Sequence, residues 1–423
     1  MERKINEELL KWKRDANKKI LLLYGKRQIG KTYSALSFGE SNYKNIVYFD
    51  TTNNLVLYEV FKREKTIDKI IFKLSMLSSE SILDDDTLII FDNCNDEEFL
   101  KYLKVFNNYS SKYNIIAITS RRDVLNKVKN EEFRYCNMHG MDFEEFLLNS
   151  DKKQLIDFIK DSYQTLKPMP FHQLALDMYN DYLVTGGFPE VVNAYFNNES
   201  YYKQDAIKQK IYSVYLSETP IGEEDVNSQR TKEVINSLPY QLLKDNHKFQ
   251  YGLIKKGGRS KEYENSINYL THNSLVNRSY RLLDIKSPLS SYKDLESFRL
   301  YANDSGLLVT MMHLNKMKLI TDNTIRRSVI ENNVANTLVS FGHSLYYYQS
   351  DGKAEISFVI QNKFGKIIPV EIVNPKLLKA KSLSLFLSKY NMTYAIKITE
   401  ENFSKRKEII SIPVYATFCL RDL

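Results

Sequence analysis

Lys18-Lys19-Ile20-Leu21-Leu22-Leu23-Tyr24-Gly25-Lys26-Arg27-Gln28-Ile29-Gly30-Lys31-Thr32 runs from an apolar segment into a Gly-x-x-x-x-Gly-Lys-Thr loop and on into an amphipathic segment. Strand, glycine loop and helix in that order make a phosphate-binding loop. Gly25 and Gly30 permit a tight backbone path whose N–H groups converge on an anion. Lys31 adds a charge for the β- and γ-phosphates of a nucleoside triphosphate. Thr32 offers a hydroxyl to Mg²⁺, and the following helix turns its positive end to the phosphates. ATP and Mg²⁺ are therefore the expected ligands. Gly25, Lys26, Arg27, Gln28, Ile29, Gly30, Lys31 and Thr32 are the expected nucleotide contacts.

Such a loop needs a carboxylate to hold the metal and, for hydrolysis, usually a second to polarise the attacking water. Leu88-Ile89-Ile90-Phe91-Asp92 supplies the first, since an apolar run ending in Asp reads as a strand with the carboxylate at its tip. Lys31 and Asp92 are thus the expected catalytic pair, and Thr32 and Asp92 the expected metal ligands. Asn93 comes next, and an amide cannot take a proton from water. Asp96 and Glu97 are the nearest carboxylates downstream. A later apolar run ends in Ile118-Thr119-Ser120-Arg121-Arg122. Thr119 or Ser120 is a candidate sensor of the γ-phosphate. Arg121 and Arg122 are candidates for phosphate contact within the chain or in a neighbouring subunit, and they read equally well as solvated loop arginines.

Around these motifs, strand-like runs at Ile20–Tyr24, Ile46–Phe49, Leu88–Phe91, Ile115–Thr119 and, more weakly, Phe133–Met138 alternate with helical patterns. These include Leu55–Glu64, Ile67–Leu77 and Glu97–Asn107, after a first helix over Asn6–Asn17. The alternation predicts a doubly wound parallel sheet with its site at the carboxyl ends of the strands. From Met141 the pattern is mostly helical, broken by the turn Thr185-Gly186-Gly187-Phe188-Pro189. Helical patterns at Lys232–Asp245, Gln250–Lys255 and Lys261–Asn273, followed by strand-like Val276–Leu283, predict a winged-helix unit. Its basic turn Lys255-Lys256-Gly257-Gly258-Arg259-Ser260 is a candidate contact to DNA, or the fold serves only to pack protein. The last part combines a helix (Ile325–Ser340), strand-like runs at Ser344–Gln349, Ile356–Gln361 and Ile367–Ile372, a helix over Leu377–Tyr390 and a strand at Thr393–Ile398.

A chain of 423 residues exceeds one hydrophobic core, so several domains are expected. The net charge of +8 permits nucleic-acid contact without demanding it. Three widely separated cysteines make neither a disulfide framework nor a metal-ligand spacing. No apolar run reaches the ~18 residues of a membrane span. A soluble, cytoplasmic protein without membrane contact is expected.

Several motifs together resemble a prokaryotic family of AAA-type P-loop ATPases that carry a trailing winged-helix and nuclease-like domain. Gly25-Lys26-Arg27-Gln28-Ile29-Gly30-Lys31-Thr32 is similar to that family's Gly-x-Arg-Gln-Val-Gly-Lys-Thr loop. Met141-Asp142-Phe143-Glu144-Glu145-Phe146-Leu147 resembles its Leu-Ser-Phe-x-Glu-Phe segment, and Thr185-Gly186-Gly187-Phe188-Pro189-Glu190 its Gly-Gly-Phe-Pro-Glu turn. Phe298-Arg299-Leu300-Tyr301, followed by Asp304-Ser305-Gly306-Leu307-Leu308, resembles its Phe-Lys-Leu-Tyr and Asp-x-Gly-Leu-Leu signatures. The resemblance implies an α/β architecture with an AAA-like P-loop NTPase parallel-sheet domain over 1–140 and a helical lid or connector over 141–225. A winged-helix-like segment over 226–320 follows, then a small restriction-endonuclease-like α/β domain over 321–423.

Two departures limit what the resemblance implies. The family's Asp-Glu-Ile-Gln is here Asp92-Asn93-Cys94-Asn95, so the usual second carboxylate is missing. In the terminal domain the family's Glu-x-Asp-Phe is Glu355-Ile356-Ser357-Phe358. Its Ile-x-Pro-x-Glu-x-Lys is Ile368-Pro369-Val370-Glu371-Ile372-Val373, without the Lys. Glu355 and Glu371 remain as a degenerate site, and Lys376 or Lys379 would have to replace the missing cation. Nuclease chemistry needs paired carboxylates on a divalent metal, so a structural or binding remnant is expected there instead. Two functional readings stay open. One is a slow Mg²⁺-dependent ATPase acting as a nucleotide-driven switch, with DNA, a protein partner or a second copy as possible partners. The other is an ATP-binding regulatory module with little hydrolysis.

Overall fold

The apolar runs around the phosphate-loop motif form strands, because buried residues on both faces of a parallel sheet leave no room for alternation. The computed structural model describes residues 1–423 except 110, 129–131, 218–224, 245–246, 351–354 and 374–380. These divide into two compact units, Met1–Gly140 with His272–Ser274, and Met141–Thr271 with Leu275–Leu423.

In chain order the first unit contains α1 (Ile5–Lys13), β1 (Ile20–Tyr24), α2 (Lys31–Asn42), β2 (Asn45–Asp50), α3 (Leu55–Arg63) and α4 (Ile67–Ser78). β3 (Thr87–Asp92), α5 (Glu97–Leu103), β4 (Asn114–Thr119) and β5 (Phe133–Asn137) complete it. Among the described residues its sheet has the order β2-β3-β4-β1-β5, and every pairing is parallel. β3 and β4 are buried along their whole length. The edge strand β2 alternates instead, with Val47 and Phe49 buried and Tyr48 and Asp50 exposed. One core carries an aromatic cluster in which Phe49 stacks on Phe91 at 5.5 Å and Phe61 meets Phe99 edge-on, also at 5.5 Å. Burying such side chains supplies about 1.5–3 kcal/mol each. The expected strands and α/β class are present. The first helix stops at Lys13 rather than Asn17, and the pattern expected to continue to Asn107 becomes a 3-10 turn, Lys104–Tyr109, after Leu103.

The second unit begins with α6 (Phe143–Leu148), α7 (Leu155–Thr165), α8 (His172–Thr185), α9 (Pro189–Phe196), α10 (Tyr201–Ser217), α11 (Asp225–Leu242) and α12 (Ser260–His272). It continues with β6 (Val276–Leu282), β7 (Lys293–Ala302), α13 (Ser305–Met311), α14 (Lys316–Thr321) and α15 (Asn323–Ser340). β8 (Leu345–Gln349), β9 (Glu355–Gln361), β10 (Ile367–Ile372), α16 (Lys381–Tyr390), β11 (Ala395–Thr399), β12 (Ser404–Arg406) and β13 (Ile409–Pro413) close the chain. Among the described residues its sheet runs β12-β13-β11-β10-β9-β8-β6-β7.

The sheet order differs from the expected division. β6 pairs in parallel with β8, Ser279 opposite Leu345, so segments 226–320 and 321–423 share one sheet across residue 320. The helix expected over Gln250–Lys255 is only a 3-10 turn, Tyr251–Leu253, because Gly252 and the Gly257-Gly258 pair favour a turn over a second helix. α11 and α12, followed by the antiparallel β6–β7 pair, are what the winged-helix pattern becomes.

Two sequence signatures meet in this unit. Asp304 caps α13 by accepting the Leu307 N–H at 2.9 Å, and its other oxygen accepts the Gly187 N–H at 2.7 Å. Gly186 has φ +78°, and a Cβ there would lie 2.3 Å from Asp304 Oδ1, so the turn admits only glycine.

Candidate functional site

The phosphate loop leaves β1 at Tyr24 and enters α2 at Lys31, at the carboxyl end of the parallel sheet. Gly25 is required by contact, since a Cβ there would meet the Met138 carbonyl oxygen at 2.3 Å. Gln28 and Gly30 take left-handed conformations, φ 62° and 89°, which wrap the loop before the helix begins. α2 has no acidic side chain in its first turn, so the positive end of its dipole is left uncompensated by its own sequence. Arg3, absent from the sequence reading, braces the loop. Its guanidinium donates to the carbonyls of Ile29 and His139, each at 2.8 Å.

Lys31 folds over the loop and donates from Nζ to the Gly25 carbonyl at 2.8 Å and to the Lys26 carbonyl. The Thr32 hydroxyl donates to Asp92 Oδ2 at 2.5 Å. Asp92 is 4% exposed, so its charge needs partners. The Tyr48 hydroxyl donates to Oδ2 at 3.0 Å, and the Asn93 N–H donates to Oδ1 at 2.7 Å. Burial first, and the Asp92 charge next, push the Tyr48 phenol up. A hydroxyl and a carboxylate in contact are the hard oxygen donors Mg²⁺ takes, so the residues present fit that ion.

Asn93 has φ 59°, a left-handed conformation that asparagine tolerates and a longer side chain resists. Its carboxamide donates to Asp50 Oδ1 at 3.1 Å, and its carbonyl accepts the Thr51 hydroxyl at 2.8 Å. Burial works to raise the Asp50 carboxyl, but the Thr52 N–H and the Asn93 amide outweigh it and hold the group below its ordinary range. The carboxylates named from sequence are engaged elsewhere. Asp96 caps α5 through the Glu98 N–H at 3.1 Å and accepts the Tyr58 hydroxyl at 3.2 Å. Glu97 pairs with Lys101 at 2.5 Å.

At the tip of β4 the Thr119 hydroxyl donates to Asn95 Oδ1 at 2.8 Å, and the Ser120 N–H donates to the same oxygen at 3.1 Å. Arg121 engages Asp123, with Nε to Oδ1 at 3.0 Å. The Arg122 guanidinium lies 5.9 Å from the centre of the Tyr24 ring. Thus the structure brings Thr32 and Asp92 into contact beside the loop that Lys31 covers, and it adds Tyr48, Asp50 and Arg3, which the sequence does not single out. Alternation along β2 puts Tyr48 and Asp50 on one face, and only the pairing of β2 with β3 sets that face beside Asp92.

In the second unit Glu355 and Glu371 lie on neighbouring strands. Glu371 accepts the Ser357 N–H at 3.0 Å, and burial pushes its carboxyl up to about 8, with the Ser357 N–H opposing and the Glu355 charge adding. Ser357, which stands where the motif has Asp, accepts the Ile372 N–H at 3.2 Å. Glu355 pairs with Arg299 at 2.5 Å, and Arg299 also reaches Glu331 at 3.3 Å. Glu331, fully buried on α15, accepts from Tyr301 at 2.7 Å and contacts His247 Nδ1 at 3.0 Å. Burial opposes its charge, but His247 and then Arg299 hold it well below the usual carboxylate range. An arginine cation therefore bridges Glu331 and Glu355. Lys376 and Lys379 lie outside the described residues.

By sequence, residues 17–147 match the family model described as an AAA domain. Residues 176–318 match a domain of unknown function (DUF8612), and residues 327–416 another (DUF4143). No curated protein matches the chain. Solved structures similar to it include the Walker-type ATPase of Pyrococcus abyssi, 10% identical with a TM-score of 0.42, covering 74% of this chain and 95% of that one. Another is the ORC1 protein of Aeropyrum pernix in complex with DNA, 12% identical with a TM-score of 0.30, covering 74% of this chain and 91% of that one. The AAA match, with the loop and strand order described above, makes the N-terminal unit an AAA-type ATP-binding domain. Among the described residues, no helix is long and apolar enough to cross a membrane.

Proposed function

We propose that the chain is a slow Mg²⁺-dependent ATPase that acts as a nucleotide-driven switch. The observation that carries this reading is the contact of Thr32 with Asp92 beside a glycine loop that Lys31 already covers. In this reading the loop N–H groups and the α2 dipole take the phosphates. Lys31 exchanges its two carbonyl partners for phosphate oxygens. Thr32 and Asp92 hold Mg²⁺, which when bound neutralises charge on the β- and γ-phosphates. Tyr48 and the Asn93 N–H hold the Asp92 carboxylate in place. ATP turnover by the full chain, lost in Lys31→Ala, is the test. Tight ATP binding with turnover no faster than in Lys31→Ala supports instead a binding module without hydrolysis, the reading that Asn93 favours.

Contact with DNA is a further part of the proposal. It is supported by the exposed basic turn, where Lys255, Lys256, Arg259 and Lys261 are all exposed at the start of α12. Binding to a labelled duplex that weakens with salt, and weakens further in Lys255→Glu/Lys256→Glu, is expected. Affinity unchanged by that double substitution would refute it.

A further inference from the structure

Asn93 stands where a water-polarising carboxylate is wanted, and its side chain points to a carboxylate on the neighbouring strand. We infer that Asp50, at the end of β2, polarises the attacking water, and that Asn93 is its positioning residue. This rests on the ATPase reading above.

The placement follows from the strand geometry. Asp50 is in register with Asp92 in the parallel β2–β3 pair. Tyr48 and Asp50 are two apart and so share one face of β2, and the Tyr48 hydroxyl reaches Asp92 Oδ2 at 3.0 Å. Asp50 therefore lies one pleat, about 7 Å, beyond Tyr48 on the same face, towards the carboxyl edge where the phosphates bind. The Thr52 N–H at 2.8 Å and the Asn93 amide at 3.1 Å both donate to Oδ1, which fixes the carboxylate and leaves Oδ2 with acceptor capacity. Asp50 is exposed, so water reaches it. Asp96 and Glu97, the other nearby carboxylates, are engaged as a helix cap and a lysine partner.

The left-handed backbone of Asn93 accounts for the exchange of roles. A residue with φ 59° is suited to asparagine, and its short amide reaches sideways to β2. In the step proposed, the water oxygen forms its bond to the γ-phosphorus as the bond from that phosphorus to the β–γ bridging oxygen breaks. The bridging oxygen keeps the electron pair and leaves as part of ADP. A water proton passes to Asp50 and from there to solvent.

The test compares ATP affinity and single-turnover hydrolysis per bound ATP in the full chain, in wild type, Asp50→Asn, Asp50→Glu, Asn93→Gly and Asp50→Asn/Asn93→Gly. Asp50→Asn is expected to bind ATP within about twofold of wild type and to hydrolyse it about a hundredfold or more slowly. Asp50→Glu, which keeps a carboxylate, should retain clearly more turnover than Asp50→Asn. Asn93→Gly, which fits the same backbone, should slow turnover less, and the double variant should be no slower than Asp50→Asn alone. Turnover in Asp50→Asn within threefold of wild type overturns the inference and leaves the ATPase reading standing. Equal loss in Asp50→Asn and Asp50→Glu marks a structural role and also overturns it. Wild type that binds ATP but turns it over no faster than Lys31→Ala overturns both.

Discussion

Replacing Asp304 by alanine removes one side chain that holds two segments of the second unit. Its Oδ1 caps α13 at the Leu307 N–H, and its Oδ2 takes the Gly187 N–H, both bonds being buried. Losing the cap costs about 1 kcal/mol. Leaving the Gly187 N–H buried and unpaired costs about 1–3 kcal/mol more. The expected destabilisation is thus about 2–4 kcal/mol, far above a typical surface substitution. At a urea slope of about 3 kcal/mol per M, the unfolding midpoint of the second unit should fall by about 1 M. The chain offers an internal control. Trp12 is its one tryptophan, is 1% exposed and lies in α1 of the first unit. Its fluorescence reports on the first unit, and far-UV circular dichroism, which reads all the helices, should report the shifted transition. Asp304→Asn, which keeps one acceptor, should lose about half as much. A circular-dichroism midpoint for Asp304→Ala within 0.2 M of wild type, a margin of about half a kcal/mol at that slope, would refute the reasoning.

Three further outcomes follow from the geometry. Gly25→Ala places a Cβ 2.3 Å from the Met138 carbonyl and should abolish ATP binding in a calorimetric titration, whereas Gly252→Ala, with open space around it, should bind as wild type. Arg299→Met leaves buried Glu331 without its guanidinium partner and should destabilise the second unit by about 3–5 kcal/mol in urea unfolding. Arg299→Lys should recover less than half, since a point charge cannot span Glu331 and Glu355. The Glu371 carboxyl, raised from 4.5 to about 8, keeps its proton in the fold where the unfolded chain has lost it. Its contribution is complete below pH ~4.5 and is lost as pH rises towards 8, by up to about 1.4 kcal/mol per unit. Glu371→Gln should therefore flatten the fall in stability between pH 5 and 8, and an unchanged slope would contradict that assignment.

The phosphate loop and Asp92 were legible because their chemistry is local. A glycine spacing and an apolar run ending in Asp need no knowledge of what lies beside them. Parallel strands buried on both faces were legible for the same reason. Asp50 was not, because it matters only once β2 is known to pair with β3 in a register that sets Asp50 beside Asp92. Arg299 and Tyr301 lie two apart in the Phe-Arg-Leu-Tyr stretch, and strand alternation puts them on one face. Their meeting with Glu331 depends on a helix packing that no spacing reveals. The single sheet joining β6 to β8 was hidden likewise, since β-pairing over sixty residues of sequence leaves no local trace. The departures from the expected motifs were visible as residue changes. Their consequence, that an amide orients a neighbouring carboxylate and an arginine bridges others, depends on strands and helices that meet only in the fold.

The most direct test of the central claim is equilibrium binding of ATP to the full chain, with and without Mg²⁺, in wild type, Lys31→Ala and Asp92→Asn. Wild type should bind with an affinity that Mg²⁺ strengthens. Lys31→Ala should lose about tenfold or more, the worth of a charge-assisted hydrogen bond, and Asp92→Asn should lose the Mg²⁺ effect. Binding in Lys31→Ala equal to wild type, or no ATP binding by wild type at all, would contradict the account.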